Sequence, residues 1–211
     1  MPITDSPDCD LVFYTNPQSR GRIVRWMLEE VGEPYRQVLL DYGTSMKADD
    51  YLAINPMGKV PAITHHGQVV TECAAICAYL ADAFPAAALA PTTSERAAYY
   101  RWLFFAAGPL EAAVIDRARH VTVSQEQQRM VGYGSLERTL DVLAMAVSAG
   151  DYIAGDRFTA ADVYVGSHVV WGMQFGSLPK RPEFEAYAAR LSKRPALQKA
   201  RSIDDQLAAS S

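Results

Sequence analysis

Residues 58–80 read GKVPAITHHGQVVTECAAICAYL. Val60-Pro61-Ala62-Ile63-Thr64 and Gln68-Val69-Val70-Thr71 are short β-prone runs flanking His65-His66-Gly67. That spacing predicts a tight antiparallel hairpin in which glycine supplies the positive φ. From Glu72 to Ala83 the residues Ala74, Ala75, Ile76, Ala78, Tyr79 and Leu80 favour a helix, with Thr71 placed to cap it and Phe84-Pro85 to end it. A hairpin running straight into a helix is therefore the centre of the fold.

Upstream, Leu11-Val12-Phe13-Tyr14 is a buried-strand pattern broken by Asn16-Pro17. Ile23, Val24, Met27, Leu28 and Val31 recur at helical spacing between Gly21 and Val31, and Gly32 and Pro34 stop that helix. Tyr35–Leu40 reads as a second strand, and the intervening helix predicts a right-handed, parallel βαβ unit. The polar stretch 41–50 follows, with a short helix expected near Met46–Leu52 before the turn Asn55-Pro56-Met57-Gly58.

Downstream the β pattern disappears. Residues 1–86 form the first domain, 87–93 a linker around Pro91, and 94–211 an all-helical domain. Gly108-Pro109, Ala149-Gly150-Asp151, Gly176 to Pro182 and Pro195 divide the latter into helices of ordinary length. Thr159-Ala160-Ala161-Asp162 has the form of a capping box at one helix start.

With 49% apolar residues the 211-residue chain can bury a sizeable core. A net charge of −4 gives the surrounding field the wrong sign for bulk attraction to nucleic acid or anionic membrane. Residues 1–10 carry Asp5, Asp8 and Asp10 without a cationic or apolar leader, and no run of 18 charge-free apolar residues occurs, so a soluble, cytoplasmic protein is expected. Cys9, Cys73 and Cys77 form no C-x-x-C pair and suit a reducing compartment. His65, His66, His120 and His168 lack the spacing of a metal site, so no metal is expected.

Two features carry chemistry. Pro61 at a strand start cannot donate to the ladder and can take the cis form, which leaves the backbone of Val60 open to a peptide-like ligand. Glu72 stands at a helix N-terminus, where amides and dipole favour a carboxylate while Glu72 itself offers a partner for an ammonium. Together they suit an α-amino-acid head group, and both should reach one edge of the sheet beside the loop Thr15–Arg20. Taken singly, Pro61 is also an ordinary edge-strand proline and Glu72 an ordinary first-turn acid.

The segments YTNPQSRGRIVRWMLEEVG (14–32), NPMGKVPAI (55–63) and VTECAAICAYL (70–80) resemble, in order and spacing, the signature segments of cytosolic glutathione transferases of bacterial type. The resemblance continues through Arg101-Trp102-Leu103-Phe104 and Phe158-Thr159-Ala160-Ala161-Asp162, nearly the whole chain. It implies an α+β thioredoxin-like N-terminal domain followed by an all-α C-terminal domain, with glutathione as co-substrate and a homodimer as the usual assembly. By that resemblance Val60 pairs through its backbone with the cysteinyl part of glutathione, and Pro61 holds the geometry. Glu72 and the amide of Cys73 hold the γ-glutamyl group, and Lys59 sits near the glycyl end. Cys73 departs from the serine usual in the family, replacing a hydroxyl with a weaker thiol donor.

The residue that activates the thiol is not declared. Counting back from Gly32 puts Tyr14 where the tyrosine-using branch keeps its catalytic residue, whereas the position of many serine and threonine enzymes holds Gln18, with Ser19 one place on. Ser19 and Tyr14 are both catalytic candidates; a strand aromatic packed in the core and a plain helix cap are their ordinary roles. A free thiol has a pKa of about 8.5, and lowering it by about two units makes thiolate the major form at neutral pH. The aromatic helix Glu95–Ala107 nominates Tyr99 and Trp102 to line a pocket for an apolar electrophile, though aromatics at this spacing are also ordinary core or dimer-interface residues. Peroxide reduction and glutathione-dependent isomerisation are variants on the same thiolate. A binding or regulatory protein without turnover is the alternative that Gln18 and Cys73 keep open, and a disulfide reductase would want a cysteine that Thr15–Arg20 lacks.

Overall fold

The computed structural model describes residues 2–210. By contacts the chain divides into two compact units, Met1–Leu89 with Lys193–Ser211, and Ala90–Ser192.

The first unit is built on a four-stranded sheet of order β2-β1-β3-β4: β1 (Val12–Thr15), β2 (Arg36–Leu39), β3 (Ala62–His65) and β4 (Gln68–Thr71). β1 runs parallel to β2 and antiparallel to β3, and β3 runs antiparallel to β4. The parallel βαβ unit and the hairpin are as expected. The hairpin loop is only His66-Gly67, with φ of 50° and 74°; His65 belongs to the strand. A segment not foreseen extends the sheet, the Tyr35 amide donating to Pro2 O (2.6 Å) and the Thr4 amide to Tyr35 O (3.0 Å).

Alternation along β1 sends Phe13 to one face and Tyr14 to the other. Phe13 is fully buried against Tyr35 and beneath the Arg25 guanidinium of α1 (Gly21–Val31). Ile23, Val24, Trp26, Met27 and Leu28 of α1 are buried, each contributing about 2 kcal/mol relative to exposure. Gly32 ends α1 at φ 80°, its amide donating to Leu28 O. Tyr14 meets a smaller cluster of Leu40, Met46, Tyr51 and Ala62, where α2 (Asp49–Leu52) packs. Helix α3 (Cys73–Ala83) buries Cys73, Ile76, Cys77 and Leu80 and packs with α1. Its cap position is Glu72, not Thr71, and no side chain caps its first turn. Thr71 cannot serve because it is still the last residue of β4, opposite Ala62.

The second unit holds α4 (Arg96–Phe105), α5 (Glu111–Ala118), α6 (Leu136–Ser148), α7 (Ala160–Phe175) and α8 (Pro182–Leu191). Gly108-Pro109, expected from the sequence to divide two helices, does not break the helix. Ala106–Leu110 widens to a π-helical turn that carries the helix from α4 into α5. Pro109 has no amide to place, and a wider turn relieves its clash with the preceding one. The chain leaves regular helix after Ala118 instead, and apart from the short turn Gln127–Arg129 it does not resume until Leu136. The capping box at Thr159 is present, and Asp162 is fully buried.

The last helix, α9 (Pro195–Ala209), packs on α1 of the first unit. The sequence division at 94–211 follows composition, and contacts group this helix with the sheet unit because its charged face finds partners on α1. Arg25 pairs with Asp204, Lys199 with Glu29, and Arg194 with Glu30.

Candidate functional site

Tyr14, Ala62 and Thr71 are successive cross-strand neighbours on β1, β3 and β4. This row brings together the end of β1, the start of β3 and the junction of β4 with α3. One sheet edge therefore collects the β1–α1 loop, the segment Lys59-Val60-Pro61 and the Glu72-Cys73 helix start, as the sequence predicts.

The peptide bond between Val60 and Pro61 is cis. Among the described residues neither the amide nor the carbonyl of Val60 is hydrogen-bonded, so both are open to an extended ligand backbone. The approach to Val60 is braced from behind. Tyr51 Oη donates to Lys59 O (2.5 Å), Asn55 Nδ2 to the same oxygen (2.8 Å), and Lys47 Nζ to Gly58 O (2.7 Å). Burial pushes the Tyr51 phenol up to about 12, so it keeps its proton and the bond. The Lys59 side chain is exposed.

Glu72 has φ 67° and ψ 118°, a region that side-chain-bearing residues rarely adopt and that costs about 1–3 kcal/mol. Its carboxylate is exposed beside the uncapped first turn of α3, which favours an anionic group. Cys73 is buried, its thiol donating to the Arg20 carbonyl at 3.7 Å. The thiol is thus turned toward the β1–α1 loop.

That loop is a knot of local bonds. Asn16 Oδ1 accepts from the Gln18 amide (2.9 Å), and Asn16 Nδ2 donates to Leu40 O (2.8 Å). Ser19 Oγ donates to Asn16 O (2.7 Å) and accepts from the Gly21 amide (2.9 Å). Its single proton points at Asn16 O, so donation to a thiolate requires the hydroxyl to give up that bond and rotate about Cβ–Oγ. The Tyr14 ring is half-buried and tilted against Tyr51, centroids 5.7 Å apart. Tyr42, from the segment after β2, donates its phenol to Gln18 O (3.1 Å). Gly21 is required here by close approach, since a Cβ would stand 2.0 Å from Thr15 Oγ1.

Tyr99 and Trp102 lie in the second unit, 2% and 6% exposed, with their rings against Tyr100 and Phe105. Phe104, by contrast, is 72% exposed.

Sequence reading missed the bracing residues Asn16, Tyr42, Lys47, Tyr51 and Asn55. A signal for two of them was present. Asn16-Pro17-Gln18 and Asn55-Pro56-Met57 are both Asn-Pro turns, and each asparagine accepts from the amide two residues on while its Nδ2 reaches a carbonyl. Tyr42 and Lys47 carry no such mark, because their partners are backbone carbonyls in other segments. Among the described residues no group of three or more His, Cys, Asp or Glu gathers as a metal site would require.

Residues 19–83 match the family model described as glutathione S-transferase, N-terminal domain. Glutathione S-transferase GstA of Escherichia coli O157:H7 is 32% identical over 183 residues, 84% of this chain and 90% of GstA. A glutathione transferase from Methylococcus capsulatus superposes with a TM-score of 0.76 at 29% identity, over 93% of this chain and 99% of that one. A sphingomonad glutathione S-transferase complexed with glutathione gives 0.73 at 27% identity, over 92% and 98%. Matched at this identity across nine-tenths of GstA, and carrying the open Val60 backbone, cis Pro61 and the Glu72 helix start on one sheet edge, this chain belongs to the glutathione S-transferase family of enzymes.

Proposed function

We propose that the chain binds glutathione along this sheet edge, activates its thiol and adds it to an apolar electrophilic small molecule. The observation that carries the reading is the pair of unsatisfied backbone groups on Val60 beside cis Pro61, one strand away from the Glu72 turn. Val60 pairs with the cysteinyl residue and Pro61 holds its geometry. Glu72 and the Cys73 amide take the γ-glutamyl head, and Lys59 with Lys47 supplies positive charge for the glycyl carboxylate. Of the three sequence segments, residues 1–86 bind glutathione, 87–93 link, and 94–211 serve the electrophile through the helices before α9, with Tyr99 and Trp102 as its aromatic wall, while α9 packs on α1. Peroxidase or isomerase chemistry on the same thiolate is a further use of this site.

Thiol activation falls to Ser19, with Tyr14 as the competing group. Ser19 stands where α1 begins, so its hydroxyl and the helix amides act on the same sulfur. Exposure of Tyr100 and Phe104 on α4 supports a homodimer. No described helix is long and apolar enough to cross a membrane, and a cytoplasmic, detoxifying enzyme is the setting we assign.

The test is ultraviolet difference absorption of bound glutathione against pH, in the wild type and in Ser19→Ala and Tyr14→Phe. Thiolate should appear well below the free value of about 8.5, and one substitution should abolish the shift. Bound glutathione with an unshifted thiol in the wild type would favour a binding protein without turnover.

A further inference from the structure

Arg22, one residue inside α1, joins three parts of the first unit. Its Nε donates to the Pro17 carbonyl at 2.5 Å and its Nη1 to Asp205 Oδ1 at 2.7 Å. One planar fork thus ties the loop that carries Ser19 to a helix 183 residues further along the chain.

The far end of this tie is itself fixed. Asp204, next to Asp205, is buried and accepts from Arg25 Nε at 2.7 Å, while Arg25 Nη1 donates to Tyr35 Oη at 3.1 Å. At the other end of α9, Arg194 grips Glu30 with two bonds of 2.6 and 2.7 Å, and Lys199 reaches Glu29. These pairs register α9 against α1 along its length, so Asp205 is presented to Arg22 from a set position. Two other charges are felt there: Arg201, one turn before Asp205 on α9, attracts the carboxylate and repels Arg22, and Asp204 attracts Arg22 and repels Asp205.

We infer that Arg22, oriented by Asp205, is a positioning residue through which the C-terminal helix sets the thiol-activating loop. It touches no reacting atom and acts through the Pro17 carbonyl, which precedes Gln18 and Ser19. The catalytic part of this inference rests on the proposed glutathione reading; the coupling of α9 to the loop does not. A displacement of about 1 Å at a catalytic group can cost about a hundredfold in rate. The Asp205 carboxylate is two-thirds exposed, and exposed pairs couple weakly, so a loss of roughly tenfold or less is expected.

Full-length Arg22→Met, Asp205→Asn and Asp205→Glu test both parts. In the free protein, hydrogen exchange at the Ser19 and Gly21 amides should quicken several-fold in Arg22→Met and Asp205→Asn, return toward wild type in Asp205→Glu, and stay unchanged within β1. Unchanged loop exchange in both variants overturns the coupling, whether or not glutathione binds. Asp205→Asn keeps the test valid should Arg22→Met fold poorly. With glutathione, kcat should fall, and the thiol titration move upward, while KM for glutathione holds within about twofold. A rise in KM at constant kcat would make Arg22 a binding group and overturn the positioning role. An unshifted thiol in the wild type would defeat the proposed function, and the exchange result would still decide the coupling.

Discussion

Cys73 Sγ lies 3.7 Å from the carbonyl oxygen of Arg20, joining the first turn of α3 to the loop before α1 across 53 residues of chain. A thiol is a weak donor at such a distance, and a serine hydroxyl would donate more strongly to either this carbonyl or a ligand carboxylate. Cys73→Ser is expected to tighten glutathione binding several-fold, and Cys73→Ala to change it less than twofold. Calorimetric titration checks this; equal affinities in all three forms would take the position out of the site.

Glu72 combines a strained backbone with an exposed carboxylate. Glycine adopts φ 67° without steric cost, so Glu72→Gly should stabilise the free protein by about 1 kcal/mol while weakening glutathione binding by about 1.5–3 kcal/mol through loss of a charge-assisted bond. Urea unfolding and calorimetry on the same variant measure the two effects. Loss of stability together with retained affinity would show that the turn is structural only.

Gly21 leaves no room for a side chain, because its Cβ would meet Thr15 Oγ1 at 2.0 Å where α1 starts against β1. Gly21→Ala should cost about 1–3 kcal/mol in unfolding free energy, as overpacked sites do. Relieving the clash in Gly21→Ala/Thr15→Ala should restore part of that loss, and a double variant no more stable than the single would refute the cause.

Asp162 accepts from the Ile153 amide (2.8 Å), the Thr159 amide (2.9 Å), Thr159 Oγ1 (3.2 Å) and Tyr187 Oη (2.8 Å). Removing the carboxylate strands buried donors on three segments. Asp162→Ala is expected to lower stability by about 3–5 kcal/mol. An equilibrium unfolding midpoint close to wild type would contradict this account of the second unit.

Burial lowers the His65 pKa, the neighbouring His66 pushes the same way, and Asp10 opposes them. The ring bonds Tyr79 Oη at 3.0 Å and packs on Phe84. With the folded value below the unfolded one, the unfolded chain takes the proton first. His65 therefore contributes stability above about pH 6.5 that is lost as pH falls through the folded value. Between about pH 7.5 and 5 the wild type should lose more stability than His65→Phe. Parallel losses would exclude His65 as the cause.

Much of the first unit is readable from local chemistry. The helical spacing of Ile23, Val24, Met27 and Leu28, the stop at Gly32 and the turn at Gly67 each satisfy a rule acting over a few residues. The row Tyr14, Ala62, Thr71 then follows from strand order. Two local readings went differently in three dimensions. Thr71 stays in the sheet and leaves the cap position to Glu72, and Gly108-Pro109 is absorbed in a wider helical turn. In the first, strand pairing outweighs a local preference; in the second, a wider turn accommodates the proline within the helix.

By itself the sequence determined the family, the order of strands and helices, and the segments that make up the site, because periodicity, turn residues and signature motifs are local in the chain. Only the tertiary structure decided that Cys73 faces Arg20 and that α9 reaches the loop through Arg22. Those facts depend on side chains meeting groups up to 183 positions away, and such meetings exist only after the chain has packed.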